Sequence, residues 1–297
     1  MKNKKLFIIA GPCSIDNINF QELYYLSKLN FVWGVRVVGL KSRTSFNPEK
    51  EFLGIDFKDY EKSIDIFYKK NKLVKKFPSI YLMEKIIKDT NLNVATEIMD
   101  PWIQLELMSK FLPKEKVLIW NPATSQLGWM IKIMAKFAKE KKWYLGLKNP
   151  KWYGDEKAEN NSMEKAWEGA FSFANYYLSK KKIILIHRGV EHYQKDVYRN
   201  FPVHKNVEKI KQKIKAKIFF DPSHIHGPKL KHKIVEETIK AMKMKINNNE
   251  YLYDGILIEV GTSKTDTSQH ISLKEMETLI KELSSFRELV NFKEKIE

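Results

Sequence analysis

Short runs of apolar and β-branched residues alternate with longer amphipathic segments along the whole chain. The short runs predict eight β-strands, at 6–12, 35–41, 92–98, 116–121, 143–149, 182–188, 216–221 and 252–259. The segments between them predict helices, because apolar residues recur there three and four positions apart. These helices are expected near 20–29, 58–89, 101–111, 125–141, 162–179, 205–214, 230–245 and 272–286. Strands that alternate with helices predict a parallel sheet with helical crossovers.

Eight such units fit a closed (β/α)8 TIM barrel better than an open doubly wound sheet, which normally has fewer strands. No linker or low-complexity tract interrupts the pattern, so we predict one α/β barrel domain over 1–297, with a short helical tail from about 287. The long connections at 42–57, 150–161 and 189–204 each follow a strand. In a barrel this places them on the C-terminal face, where active sites form.

Composition restricts the compartment and the partners. No apolar run reaches the roughly 20 residues that span a bilayer, and the single cysteine suits a reducing compartment, so we expect a cytoplasmic protein without a membrane partner. Lys and Arg together number 53 against 36 Asp and Glu, a net charge of +17 that favours anionic partners. Nucleic acid is disfavoured, because neither an aromatic-interleaved basic motif nor a zinc-finger spacing is present.

Ionisable residues stand repeatedly at the ends of the predicted strands. They are Cys13, Arg36, Lys41, Arg43, Glu97, Asp100, Lys148, His187, Arg188, Asp221, His224, Glu259 and, shortly after the last strand, Asp266. The last inward side chain of a barrel strand points into the mouth of the barrel. We therefore expect these groups to converge on one pocket.

Four of these residues form a plausible ligand set for a divalent metal: Cys13, His224, Glu259 and Asp266. One thiolate, one imidazole and two carboxylates suit Mn, Fe, Co or Zn better than Mg or Ca. Three of them also have structural alternatives. Cys13 could be a small buried hydrophobe, His224 a turn residue, and Asp266 a cap for a helix that begins near Ser272. A purely structural role is less favoured for Glu259, because an unpaired carboxylate at the end of an apolar strand is costly to bury.

Five cations also lie at predicted strand ends: Arg36, Lys41, Arg43, Lys148 and Arg188. Arginine binds a phosphate or carboxylate through two parallel hydrogen bonds, and lysine adds a compact charge. Each cation could instead pair with a carboxylate such as Glu97 or Asp100. A metal would occupy Glu259 and Asp266, however, so the positive excess predicts an anionic substrate. An anion with two phosphate-like groups, together with a carbonyl that the metal polarises, would satisfy this arrangement.

Eight motifs along the chain resemble those of 3-deoxy-7-phosphoheptulonate (DAHP) synthases. They are AGPCS at 10–14, RVVGLKSRTS at 36–45, ATEIMDP at 95–101, LKNP at 147–150, HRG at 187–189, YRN at 198–200, DPSHIHG at 221–227 and DGILIEV at 254–260. Their order and spacing match nearly end to end, from residue 6 to about 285. AGPCS is shared with 3-deoxy-octulosonate 8-phosphate synthases, whereas DPSH and the TE of ATEIMDP favour the heptulosonate branch. LKNP, HRG and YRN resemble the form that some bacteria fuse to chorismate mutase.

The resemblance implies a transferase that catalyses the first step of the shikimate pathway. In this reaction phosphoenolpyruvate and erythrose 4-phosphate condense in a metal-dependent, aldol-like step, and phosphate is released. By position, the metal ligands would be Cys13, His224, Glu259 and Asp266, the phosphoenolpyruvate contacts Arg36, Lys41, Lys148 and Arg188, and the aldose-phosphate contacts Arg43 and Thr44. Glu97 matches a carboxylate near the attacking water. Lys41, Glu97 and His224 are thus the expected catalytic residues.

The chain departs from the family pattern at three places. WNPATSQ at 120–126 puts Pro122 where the family usually has an arginine on the phosphoenolpyruvate phosphate, and Ser42 replaces the usual proline of KPRT. We also expect neither a chorismate mutase domain after about 286 nor an N-terminal regulatory extension. The favoured interpretation is a DAHP synthase that acts on small molecules as a homo-oligomer. A related synthase for a different aldose phosphate, or a non-catalytic barrel that binds phosphorylated ligands or nucleic acid, remains an alternative.

Overall fold

The computed structural model of the chain describes residues 4–16, 20–29, 31–42, 52–70, 76–121, 127–154, 162–191, 197–247, 250–262 and 268–291. The strands in these ranges are β1 (Lys5–Gly11), β2 (Gly34–Arg36), β3 (Lys41–Ser42), β4 (Phe52–Leu53), β5 (Asn93–Glu97), β6 (Val117–Asn121), β7 (Tyr144–Lys148), β8 (Ile183–His187), β9 (Lys217–Phe220), β10 (Lys245–Asn247), β11 (Glu250–Tyr251), β12 (Gly255–Glu259) and β13 (Glu288–Leu289). The α-helices are α1 (Phe20–Lys28), α2 (Phe57–Lys70), α3 (Pro78–Thr90), α4 (Pro101–Phe111), α5 (Gly128–Lys141), α6 (Ser162–Tyr177), α7 (His204–Ile214), α8 (Pro222–His226), α9 (Ile234–Lys243) and α10 (Leu273–Ser284).

Eight parallel strands close into a barrel in the order β1, β2, β5, β6, β7, β8, β9, β12, and β12 pairs back onto β1. Each predicted strand corresponds to one of these eight, so the predicted (β/α)8 barrel is confirmed. The closing pair is in continuous register from Phe7 opposite Gly255 to Gly11 opposite Glu259. No helix among the residues that the structure describes is long and apolar enough to cross a membrane.

Two predicted elements differ in detail, and a short helix occurs where none was predicted. The second strand, expected over 35–41, ends at Arg36, and β3 instead forms a small antiparallel pair with β4. The helical segment expected over 58–89 is two helices, and α3 begins at Pro78, because proline lacks the N–H that a continuing helix needs. The short helix α8 follows β9 directly and was not predicted.

The C-terminal segment begins with a short strand, where the sequence predicts a helical tail from about 287. Strand β13 pairs parallel with the start of β1, with Glu288 opposite Lys5. The buried Arg287 donates hydrogen bonds to the carbonyl oxygens of Lys4, Lys5, Met242 and Tyr253. This segment thereby joins 287–289 to 4–6 at the N-terminal end of the barrel, while 292–297 lie outside the described residues.

The barrel strands separate two apolar layers. Alternate residues of a strand face opposite sides, so Ile8 packs outward against the helices while Phe7 and Ile9 face the barrel interior. The interior is filled by large rings, and the ring centres of Trp33 and Tyr144 lie 5.4 Å apart. The other ring pairs there are Phe7–Trp33 at 5.8 Å and Phe7–Phe219 at 6.0 Å. The N-terminal half of the interior is therefore a packed core and not a pore.

Candidate functional site

The inward rows of side chains change from apolar to ionisable at the C-terminal ends of the strands. On the β8 row, Ile186 is followed two residues later by Arg188, and on the β12 row Leu257 is followed by Glu259. The same alternation places Arg36, Glu97, Lys148 and Asp221 at the mouth. Because a strand repeats every two residues, one sequence pattern yields both the core and the polar layer above it.

Cys13, His224 and Glu259 converge at this mouth. One ligand atom from each lies within 4.8 Å of the others, and all three residues are buried. Cys13 follows β1 by two residues, and the β1–β12 register sets Gly11 opposite Glu259, so the closing pair of the barrel brings thiol and carboxylate together. His224 arrives on α8. Asp266, the fourth predicted ligand, lies outside the described residues.

Asp221 fixes the orientation of His224. Its carboxylate accepts the main-chain N–H of His224 at 3.2 Å, as the cap of α8, and its Oδ1 lies 3.0 Å from the His224 ring nitrogen Nδ1. Burial, together with Lys148 and Arg188 nearby, holds the pKa of His224 well below its usual value. The imidazole is therefore neutral, so one of its ring nitrogens keeps a lone pair that can bind a metal.

The Cys13 thiol lies among cations. Lys41 Nζ is 2.5 Å from its Sγ, and Arg36 Nη2 is 3.2 Å from its carbonyl oxygen. Burial raises the pKa of Cys13 to about 11; Glu259 adds to this effect, while Lys41 and Arg36 oppose it. Without a bound cation the group is therefore a thiol at neutral pH, and a divalent cation that binds it displaces the proton.

Glu259 is an ionised carboxylate with one oxygen left for a ligand. Burial by itself raises the pKa of Glu259, but the positive charges of Arg36 and Lys41 oppose it, and that pKa lies well below its usual range. Arg36 Nη2 forms an ion pair with Oε1 at 3.1 Å, yet Oε1 has no hydrogen-bond partner among the described residues. A buried carboxylate oxygen beside a thiol and an imidazole fits a divalent transition metal.

The other half of the mouth is cationic. Among the residues that the structure describes, four cations are buried there: Arg36, Lys41, Lys148 and Arg188. Burial lowers the pKa of Lys148 to about 8; Asp221, 3.3 Å away, opposes this shift, and Arg188 adds to it. Within the described ranges, Nε and Nη1 of Arg36 and Nε of Arg188 lack hydrogen-bond partners. Buried N–H donors without partners fit an anionic ligand.

Glu97 lies on the same floor and is held by an indole. Trp120 Nε1 donates to Glu97 Oε2 at 3.0 Å. Burial raises the pKa of Glu97, but Lys41, Lys148 and Arg36 outweigh it, so the net pKa is lowered and the group is a carboxylate. A carboxylate in this position offers an acceptor for a proton or for a water molecule between the cations.

Two strand-end residues do not join the pocket. His187 precedes the inward Arg188 by one residue, so it faces outward, and its Nδ1 lies 2.8 Å from the Tyr253 hydroxyl. Asp100 caps α4 by accepting the main-chain N–H groups of Trp102 and Ile103 through Oδ1, and its Oδ2 accepts the Tyr60 hydroxyl at 3.0 Å, so among the described residues its hydrogen bonds go to these groups and not to the buried cations. The expectation that all strand-end groups converge was wrong for these two residues. The predicted contacts Arg43 and Thr44, and the departure at Pro122, lie outside the described residues.

Sequence reasoning missed two residues at the site, Gln269 and His270. Gln269 Nε2 donates to Glu259 Oε2 at 2.6 Å, and the Cys13 N–H donates to His270 Nε2 at 2.9 Å. Neither residue belongs to a barrel strand, so the alternation of inward and outward positions gave no signal for them. Their position three and four residues after Asp266 was the one available hint.

Two solved structures share this architecture. The crystal structure of phospho-2-dehydro-3-deoxyheptonate aldolase (DAHP synthase) from Thermotoga maritima matches with a TM-score of 0.69 and 19% identity, over 95% of this chain and 69% of that one. A truncated form of 3-deoxy-D-arabino-heptulosonate 7-phosphate synthase from Thermotoga maritima matches with a TM-score of 0.65 and 18% identity, over 95% and 87%. At these identities the likeness establishes the common fold.

The family relationship is shown by the sequence and not by the fold alone. No curated protein matches the chain significantly. The profile of the DAHP synthetase I family, in contrast, matches residues 68–291, which is well over half of the sequence and includes β5 to β12. The chain therefore belongs to the DAHP synthetase I family, whose members are transferases.

Proposed function

We propose that this chain is a metal-dependent DAHP synthase that condenses phosphoenolpyruvate with erythrose 4-phosphate. One observation supports the proposal above all. The buried thiol, imidazole and carboxylate of Cys13, His224 and Glu259 lie in the same barrel mouth as a set of buried lysine and arginine side chains and contact it. Arg36 joins the two halves. Its Nη2 reaches the Cys13 carbonyl oxygen and Glu259, while its Nε and Nη1 remain without hydrogen-bond partners among the described residues.

The cationic half would bind phosphoenolpyruvate. Its carboxylate and phosphate supply the acceptors that Arg36 and Arg188 lack, and Lys148 adds a charge beside them. Each charge-assisted hydrogen bond contributes roughly 1.5–3 kcal/mol. An anion bound here would also offset the free-energy cost of burying several cations close together at the barrel mouth. The predicted aldose-phosphate contacts, Arg43 and Thr44, would extend the site toward the second substrate.

The metal half would act on the aldehyde of the aldose phosphate. Cys13, His224, Glu259 and the predicted Asp266 would hold a divalent transition metal, and Asp221 keeps the His224 ring in a ligand orientation. Such a metal supplies Lewis acidity that polarises a carbonyl oxygen. Lys41 lies against the Cys13 sulfur and favours its thiolate form, which is the form that binds metals.

Glu97 would act as the base for the water molecule that adds in the last part of the reaction. The electron pair of the C2=C3 double bond of phosphoenolpyruvate forms a bond from C3 to the aldehyde carbon, which leaves C2 cationic. The aldehyde oxygen takes up a proton and becomes a hydroxyl, and water adds to C2 with the loss of one proton, so that the two proton transfers balance. The C2–O bond to phosphate then breaks, so that inorganic phosphate leaves and a 2-keto group remains. The Glu97 carboxylate, fixed by Trp120, is suited to accept the hydrogen bond of this water and then its proton.

The proposal is tested by phosphate release from purified protein with phosphoenolpyruvate, Mn²⁺ and a panel of four- and five-carbon aldose phosphates. We expect release with erythrose 4-phosphate that stops on chelation and returns when Mn²⁺ is added back. Release with a five-carbon aldose phosphate alone would overturn the choice of substrate and indicate a related synthase. Metal-loaded protein that releases no phosphate with any of these substrates would overturn the proposal as a whole.

A further inference from the structure

The segment 268–271 follows the last barrel strand and is held along its C-terminal end. The Ile271 N–H donates to the Glu259 carbonyl oxygen at 3.0 Å, and the Gly261 N–H donates to the Ile271 carbonyl oxygen at 2.9 Å. Immediately afterwards α10 begins with a capping box between Ser272 and Glu275. These anchors fix the main chain at Ile271 and Ser272, directly after Gln269 and His270. They present Gln269 and His270, both buried, to the mouth of the barrel.

The two consecutive side chains contact ligands that come from different strands. Gln269 donates its amide N–H to Glu259 Oε2 at 2.6 Å, which leaves Oε1 on the side of His224. His270 accepts the main-chain N–H of Cys13 at 2.9 Å through Nε2. One dipeptide thus sets the relative positions of the carboxylate and the thiol.

Arg199 determines which way the Gln269 amide points. Arg199 Nη1 donates to Gln269 Oε1 at 2.7 Å, and a guanidinium only donates, so the amide NH2 must face Glu259. The glycine at 227 leaves space for this arginine. A Cβ at Gly227, where φ is +66°, would lie 2.5 Å from Arg199 Cβ. The next residue, Asn200, donates to the His224 carbonyl oxygen, so 199–200 supports a second ligand as well.

A neutral amide is well suited to hold a metal-binding carboxylate. It fixes Oε2 through a hydrogen bond without adding a cation that would compete with the metal for the negative charge. A lysine in this position would neutralise Glu259. An apolar side chain would leave a buried carboxylate oxygen without its donor.

We propose that Arg199, Gln269 and His270 are positioning residues of the metal centre. Arg199 orients the Gln269 amide, Gln269 directs Glu259 Oε1 toward Cys13 and His224, and His270 fixes the main chain of Cys13. This inference rests on the metal site of the proposed function.

The first test is a Co²⁺ titration of full-length protein, followed by the thiolate-to-cobalt absorption band and by calorimetry. Gln269→Met should weaken Co²⁺ binding about 10- to 100-fold, as the loss of such supporting hydrogen bonds does in other metal sites. The matched control is Gln212→Met on α7, an exposed glutamine that donates to Glu208 at 3.2 Å, and it should leave the affinity unchanged. Unchanged affinity in Gln269→Met, with the wild-type band present, overturns the role of Gln269.

A double-mutant cycle separates orientation from simple packing. Since Arg199 acts through Gln269, Arg199→Met should weaken Co²⁺ binding in the wild type and have no further effect in Gln269→Met. Fully additive losses would overturn the chain of hydrogen bonds.

His270 provides a test that does not depend on the folding of the Gln269 variants. His270→Leu should weaken Co²⁺ binding and reduce the thiolate band, whereas His270→Gln, which retains an acceptor, should restore both. Equal behaviour of the two variants overturns the positioning of Cys13. A wild type without any thiolate band overturns the metal centre itself. Failure of the proposed catalysis would appear separately, as absent phosphate release from protein that binds Co²⁺ normally.

Discussion

The N-terminal half of the barrel interior is filled by rings, and the C-terminal half by charges. In the lower half Phe7, Trp33, Tyr144 and Phe219 pack edge to face or stacked within a cluster of buried apolar side chains. In the upper half four cations face three carboxylates, and the described residues leave buried atoms of Arg36, Arg188 and Glu259 without hydrogen-bond partners.

The difference indicates a division of labour between two layers of the same strands. The lower layer is complete without a ligand, so it stabilises the fold. Each unpartnered buried polar atom in the upper layer costs about 1–3 kcal/mol until a ligand satisfies it. The upper layer is therefore organised for binding at the expense of stability. Substitutions in the lower layer should change the free energy of unfolding, whereas substitutions in the upper layer should change the affinity for ligands.

The largest expected effect on stability is in the lower layer. Phe219→Ala removes a ring that packs on Phe7 and leaves a cavity, so it should lower the free energy of unfolding by about 3–5 kcal/mol in urea titrations. Tyr176→Ala, at a side chain that is 83% exposed, should change it by no more than about 0.5 kcal/mol. A loss below about 1 kcal/mol for Phe219→Ala would contradict a tightly packed lower layer.

In the upper layer the first expected effect is on metal binding. Cys13→Ser replaces a thiolate ligand by a weakly acidic hydroxyl, so Mn²⁺ or Zn²⁺ binding should weaken by about a hundredfold or more, beyond the effect of losing a supporting hydrogen bond. The unfolding free energy of the metal-free protein should change little, since the volume is nearly conserved. Elemental analysis after dialysis provides the measurement, and full metal occupancy in the variant would remove Cys13 from the ligand set.

Arg188 should show a smaller effect, on anion binding. Arg188→Met removes charge-assisted hydrogen bonds worth about 1.5–3 kcal/mol, so phosphoenolpyruvate affinity measured by calorimetry should fall roughly tenfold to a hundredfold. Lys181→Met, at an exposed lysine, controls for the loss of one positive charge. Equal phosphoenolpyruvate affinity in Arg188→Met and the wild type would show that the substrate lies elsewhere.

The smallest expected effect is a pH dependence that arises from Lys148. Burial lowers its pKa to about 8, so the ammonium is present below that pH and is lost as the pH rises through it. Phosphoenolpyruvate affinity should therefore fall about tenfold between pH 7 and pH 9, as one proton is lost from the site. Lys148→Arg should remove this dependence, because arginine stays charged. A flat profile for the wild type would show that Lys148 does not contribute its charge.

The barrel and most of the mouth could be predicted from the sequence because one periodicity encodes both. The two-residue repeat that places Leu257 in the core also places Glu259 in the mouth, and the same holds for Ile186 and Arg188. His187 was wrongly assigned to the pocket because all residues at the end of a strand were treated alike. Consecutive residues there point to opposite sides of the barrel wall, so His187 faces outward and Arg188 inward. The start of a new helix at Pro78 was indicated by the proline itself. It was missed because the spacing of apolar residues over 58–89 favours one continuous helix.

Gln269 and His270 could not be predicted in the same way. They are uncharged, they lie outside the barrel strands, and their roles come from main-chain pairing of Ile271 with the end of β12. Such contacts depend on tertiary structure, which strand and helix periodicities do not report.

The most direct test of the central claim is anomalous diffraction from a crystal grown with Mn²⁺ and phosphoenolpyruvate. We predict one anomalous peak bounded by Cys13 Sγ, a ring nitrogen of His224 and a carboxylate oxygen of Glu259, with phosphoenolpyruvate against Arg36, Lys148 and Arg188. A Mn²⁺ peak elsewhere, or phosphoenolpyruvate bound away from these cations, would contradict the account.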